Sequence, residues 1–287
     1  MNSKNAVILV ALSSLLSMAP ALAEKTEKFR VISTDFFDRK HLDIKDPQTK
    51  VNIVAEVDGL VRGLFFDKSK VNGIWLRSRE ELARTAAQAK STTVLKPIIN
   101  FYLSKLGTSH CLFTTDEDES FYYLESLFGS RQKNWNPKEY GVPGFVTGGA
   151  GFPEKTVRYV LAGSAADKAG IEVGDEIISV NGKTEYTYKD CLAAAGTELT
   201  ITYKRQGLDK TARLKPKQMD HFKAYLQAME DSLKTIIREV EIGGKKREVT
   251  LTYIHMYSGG PQVRETLESL LNDKSASDAL ILDLRDG

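Results

Sequence analysis

From Gln48 to about Lys105 the apolar positions recur at helical spacing. "VNIVAEVDGLVRGLFF" sets Val51, Val54, Val57, Val61, Leu64 and Phe65 along one stripe. "SREELARTAAQAK" opens with Ser78 and carries Glu81 three residues on, the pattern of a capping box. "TVLKPIINFYLSKLG" continues the stripe; Pro97 is expected in the first turn of that helix and Gly107 at its end. The aromatics Phe65, Phe66, Trp75, Phe101 and Tyr102 are read as core. A short extended piece and a helix from about Asp116 follow. "RQKNWNPKEYGVPG" then reads as a linker.

From about Tyr140 the period shortens to two. "TVRYVLAG" and "EIISVNGK" predict strands, the second entering an Asn181-Gly182 turn. Between them "SAADKAG" predicts one helical turn, capped by Ser164 and ended by Gly170. "YKDCLAAAG" predicts a short helix, and "ELTITYKRQG" with "KTARLKPK" a hairpin. After Pro216 a helix is expected with Met219, Phe222, Tyr225, Leu226, Met229 and Leu233 on one face. A hairpin turned at Gly243-Gly244 comes next, then a helix with Pro261 in its first turn, then a strand over Ala279–Leu284. Strand, helix, strand predicts a βαβ unit and a partly parallel sheet. The run Leu280, Ile281, Leu282, Leu284 suits a strand buried on both faces.

Composition changes little in this picture. A net charge of +2 over 287 residues, with no basic block, gives no reason to expect nucleic acid. The N-terminus adds more: Lys4, the apolar "AVILVALSSLLSM" and the small residues of "ALA" before Glu24 have the layout of a secretory signal peptide cleaved near Ala23. A membrane anchor is the alternative, but stop-transfer flanks are lacking. The expected location is periplasmic or secreted, with no stable membrane span after cleavage. An oxidising compartment permits a bridge between Cys111 and Cys191, yet they fall in segments assigned to different domains and are read as separate thiols. The histidines His41, His221 and His255 are scattered without ligand-pair spacing, so neither metal nor cofactor is expected. "DEDE" (Asp116 to Glu119) reads as a solvated helix start.

The β-rich middle, "GSAADKAGIEVGDEIISVNGK", resembles the PDZ domain of bacterial proteases over about Tyr140 to Lys217. Such a domain adds an extended peptide to a sheet edge, and backbone N–H groups of a glycine-rich loop hold the terminal carboxylate. The loop matching here is "GVPGFVTG", so the resemblance implies Gly144, Phe145 and Val146 as peptide-binding residues, with a helix around Tyr188 to Ala194 lining the groove. The alternative is a β-domain that spaces its neighbours apart. The flanks "KLGTSHCLFTTDEDESFYYLESLFG" and "YIHMYSGG…ALILDLRDG" resemble the C-terminal processing and tricorn-type serine peptidases, whose order is a helical region, a PDZ domain and an α/β catalytic core.

That resemblance implies a chemistry. The tricorn-type branch uses a histidine base preceded by a serine, and "TSH" matches it, making His110 the general base and Ser109 its support; the other branch uses a lysine. Alternatively His110 only orders an extended segment. A Cys111–His110 pair is sterically poor on an extended strand, where neighbours point to opposite faces. Ser258 in "YSGG" reads as a plain turn. In the family a glycine pair and later the nucleophilic serine follow the "DLR" strand, so the resemblance implies a chain that ends inside its catalytic domain and does not hydrolyse peptide bonds by itself. The expected fold class is α+β and multidomain: signal peptide (1–23), helical N-terminal domain (24–137), PDZ domain (138–217) and an incomplete α/β (βαβ) catalytic core (218–287). The expected partners are proteins or peptides taken by their C-termini. The resemblance implies an exported serine-type endopeptidase whose nucleophile lies outside these residues; the alternative is a non-catalytic PDZ adaptor derived from one.

Overall fold

The structure, a computed structural model, describes residues 46–108, 111–129, 138–149, 151–272 and 277–285. The chain forms two compact units, one ending at Glu125 and the other beginning at Ser126.

The first unit is helical. Asp46 caps α1 (Pro47–Leu64), accepting the Gln48 amide at 3.0 Å, with Pro47 in the first turn. α2 (Lys68–Lys70) runs through a π-helical turn (Val71–Trp75) into α3 (Leu76–Ala87). The capping box expected at Ser78 is therefore absent. The helix begins ten residues earlier, capped by Asp67, and the Ser78 hydroxyl donates back to the Ile74 carbonyl at 2.8 Å. Burial of Val71 and Trp75 outweighs the local capping motif. α4 (Thr92–Ser104) starts at its cap Ser91, so Pro97 lies in the helix interior and not in the first turn. Gly107 beyond its end is left-handed, with φ +63°.

Val57, Val61, Phe65, Trp75, Leu82, Leu95 and Ile99 form the core of this unit. Two of the aromatics read as core are not: Phe66 and Phe101 are exposed. Lys50 is buried and serves as a cap, its Nζ donating to the carbonyls of Ala87 (2.7 Å) and Ala89 (3.0 Å) that the end of α3 leaves unpaired. The acidic run is also not a solvated start. Asp116 is buried, and the Asp118 carboxylate accepts the Thr115 amide at 2.9 Å and pairs with Lys96. Helix α5 (Glu119–Gly129) follows.

The second unit begins with a two-residue strand, β1 (Tyr140–Gly141). β2 (Phe145–Gly149) and β3 (Phe152–Val160) lead to α6 (Ala165–Lys168), capped by Ser164 as expected. β4 (Glu176–Val180) enters the Asn181-Gly182 turn, where both residues have positive φ (50° and 79°). β5 (Leu199–Arg205) and β6 (Leu208–Leu214) form the hairpin. The sheet is antiparallel with order β2-β3-β4-β5-β6, so β2 is an edge. Phe145, Val157, Ile177, Ile201 and Leu214 fill it.

β7 (Gln218–Met219) then returns to pair antiparallel with β1. α7 (His221–Asp231) buries Phe222, Tyr225 and Met229, with Ala224 and Ala228 beside them. β8 (Lys234–Ile242), β9 (Lys245–His255), α8 (Pro261–Asn272) and β10 (Ala279–Asp283) complete the chain. β9 is central in the order β10-β9-β8, and β10 runs parallel to it with Ile281 opposite Tyr253, as the βαβ reading requires. The expectation that β10 is buried on both faces does not hold. Leu280, Ile281, Leu282 and Leu284 are exposed by 43, 42, 37 and 60 %. β10 is an outer strand with a neighbour on one side, and among the described residues nothing covers its faces enough to bury them.

Candidate functional site

Three segments were expected to carry chemistry. Ser109 and His110 lie outside the described residues. Their neighbour Cys111 is buried, and burial pushes its thiol up to about 11, which removes it as a nucleophile near neutral pH. Cys191 is likewise buried, with its thiol pushed up to about 12, and both cysteines are free.

Gly144, Phe145 and Val146 stand at the start of the edge strand β2. The loop before them is tied from behind: the Leu161 amide donates to the Gly144 carbonyl at 2.8 Å, and the Ala166 amide to Pro143 at 3.0 Å. Gly144 has φ +87°, and a Cβ there would lie 2.1 Å from the Ser164 Cβ, so this position requires glycine. All three residues are buried, and the Phe145 ring belongs to the sheet's core. A ligand at this loop meets backbone, not the Phe145 side chain.

The helix expected over Tyr188 to Ala194 is a single 3₁₀ turn, Tyr188–Cys191, with a capping box between Thr187 and Asp190. The chain then straightens, and Ala193 exchanges two backbone hydrogen bonds with Gly141, each 3.1 Å. Pairing with β1 takes the backbone groups that a longer helix would use. The Tyr188 hydroxyl and His221 Nε2 are hydrogen-bonded at 3.2 Å, and the Tyr140 and Tyr188 rings stand edge-on to the imidazole.

His221 opens α7, whose cap Asp220 is bonded to Ser126 and accepts the Lys223 amide at 3.1 Å. Burial pushes the His221 imidazole down to about 3. It is neutral in the fold, whereas in the unfolded chain it takes a proton near pH ~6.5. Between these values the unfolded state binds more protons, so the second unit is expected to lose stability as pH falls from about 6.5 towards 3. His221→Phe should flatten this part of the profile, read as the urea midpoint against pH by far-ultraviolet circular dichroism. An unchanged slope would mean that other groups set the acid sensitivity.

A further grouping was missed from sequence. At the C-terminal ends of the parallel strands β9 and β10, Asp283 accepts hydrogen bonds from the Tyr253 hydroxyl (2.8 Å), Arg285 Nε (2.9 Å) and the Arg285 amide (3.1 Å). The Arg285 guanidinium holds the Asp283 carboxyl well below the usual carboxylate range. His255 Nε2 donates to the Arg285 carbonyl at 2.7 Å, and its ring lies 3.8 Å from that of Tyr257. The Tyr257 hydroxyl donates to the Val160 carbonyl at 3.3 Å and accepts the Ala162 amide at 3.3 Å. In open α/β sheets this strand end is where sites are assembled. The alternation Tyr253, His255, Tyr257 was the available signal. Weighed only for metal-ligand spacing, His255 carries no such signal. Among the described residues no group of three or more His, Cys, Asp or Glu is placed to hold a metal, and no helix is long and apolar enough to cross a membrane.

Comparison with known proteins now fits the middle of the chain. Residues 156–205 match the PDZ domain family, and this part of the second unit is a PDZ domain. Among solved structures, the chain is similar to a photosystem II D1 C-terminal processing protease (17 % identity, 82 % of this chain and 60 % of that one, TM-score 0.41). It is also similar to a Bacteroides fragilis protein described as an S41 protease (18 % identity, 52 % and 40 %, TM-score 0.26). A third is an aminopeptidase N family protein from Idiomarina loihiensis (15 % identity, 61 % and 33 %, TM-score 0.25). The chain spans 60 % of the length of the first of these. No curated protein matches the sequence.

Proposed function

We propose that these residues are the substrate-recruiting part of an exported serine-type endopeptidase of the C-terminal processing and tricorn-like class, and that the PDZ domain takes protein substrates by their C-termini. The observation that carries the reading is the order of the second unit. A PDZ domain is followed, after α7 and β8, by a βαβ unit whose parallel strands end in the Tyr253–Asp283–Arg285 network. In this reading His110 is the candidate general base with Ser109 behind it, and no residue from 1 to 287 is assigned as the serine nucleophile.

Two measurements test this. A degenerate pool of octapeptides with free carboxyl termini should be retained by the immobilised chain, and the same pool amidated should be lost. Equal retention would remove C-terminal recognition. A fluorophosphonate should label the product of the complete open reading frame and leave residues 24–287 unlabelled. A frame that ends here, yielding stable and monodisperse protein, would instead support the adaptor.

A further inference from the structure

The pairing of β2 with β3 contains a bulge. Val146 is opposite Tyr159 and Thr147 is opposite Val157, which leaves Arg158 as the extra residue without a partner on β2. Bulges of this kind re-aim a side chain. Arg158 is aimed across the end of β2: its Nη1 lies 2.8 Å from the point where a Cβ on Gly149 would stand. Gly149 has φ +74° and no side chain, and so leaves room for the guanidinium. The guanidinium carbon lies 4.9 Å from the Tyr159 ring centroid, while Nε is buried with no hydrogen-bond partner among the described residues. A desolvated guanidinium donor without an acceptor is costly, and a carboxylate is the group that suits its fork.

β2 is one of the two edges of its sheet, and a PDZ domain adds a peptide strand to such an edge. With the terminal carboxylate at Gly144–Val146, the peptide runs antiparallel to β2, and the residue reaching Gly149 is about four positions before the C-terminus. We infer that Arg158 is a specificity-determining residue that selects an acidic side chain about four residues before the substrate's C-terminus. The inference rests on the peptide-binding reading above and narrows it to a substrate class.

The test uses the full chain and the free-carboxyl octapeptide pool, with retained peptides sequenced by mass spectrometry. The unmodified protein should enrich Asp and Glu about tenfold in a window three to five residues from the C-terminus, as one charge-assisted hydrogen bond allows. Arg158→Gln should abolish the enrichment but still retain peptides, and Arg158→Glu should favour Lys and Arg in that window. Arg158→Lys, which keeps the charge without the fork, should retain part of it. Circular dichroism and a hydrogen-exchange map matching the unmodified chain establish that each variant is folded. Peptides retained without acidic preference, or a preference that survives Arg158→Gln, would overturn the inference alone. Retention of no peptide at all would overturn it together with C-terminal recognition.

Discussion

Replacing Arg205 with Met is expected to lower the stability of the PDZ sheet by about 3–5 kcal/mol, because it leaves a buried carboxylate without its partner. Arg205 Nε and Nη2 donate to the two oxygens of Asp175 at 2.6 Å each, and Nη2 also donates to the Gly170 carbonyl at 2.6 Å. The Asp175 side chain is 1 % exposed and that of Arg205 20 %. The same carboxylate accepts the Glu172 amide at 2.8 Å, so one ion pair ties the end of β5 to the loop between α6 and β4. The measurement is the opening free energy of amides in residues 156–205 by native-state hydrogen exchange, which isolates this region from the helical unit. A paired Arg205→Met, Asp175→Leu variant should regain much of the loss, since an apolar replacement leaves no charge stranded. A loss under about 1 kcal/mol for the single variant would put the pair in the class of surface salt bridges.

In the helical unit the largest effect is expected at Trp75. Trp75→Ala should cost about 3–5 kcal/mol through the cavity it opens. The side chain is 1 % exposed. It sits on the last residue of the π-helical turn, and its indole N–H donates to Asp58 at 2.9 Å. Trp75→Phe keeps most of the packing and loses the hydrogen bond, so its cost should be well below that of the alanine variant. Slowly exchanging amides of α1 and α4 report both. Equal protection in Trp75→Ala and the unmodified chain would mean that the turn, not the ring, organises the unit.

The parts of the fold legible in the sequence are those where one local signal meets no competitor. The Ser164 turn, the Asn181-Gly182 turn, the Gly243-Gly244 hairpin and the βαβ unit appear where patterning puts them. Where the reading differs from the structure, tertiary packing has taken over a local motif. Ser78 carries a capping pattern, but the helix continues through it because Val71 and Trp75 behind it are buried. The segment after Tyr188 has helix-forming alanines, yet Ala193 pairs with Gly141, a contact between residues distant in sequence. The Asp283 network was hidden for the same reason: Tyr253 and Asp283 lie thirty positions apart and meet only through the parallel pairing of β9 and β10. Arg158 could not be singled out at all, because a bulge is a property of two strands together.

The pairing of β1 with β7 has one more implication. Tyr140 lies directly opposite Met219, so the polypeptide goes into the PDZ domain and leaves it through a single narrow doorway. Beyond that doorway the module is also moored by side chains, Tyr188 to His221 and Tyr257 to Val160 and Ala162, so turning it about the β1–β7 pair would break these contacts as well. The same doorway restricts how it can swing, since both ribbons must bend in concert.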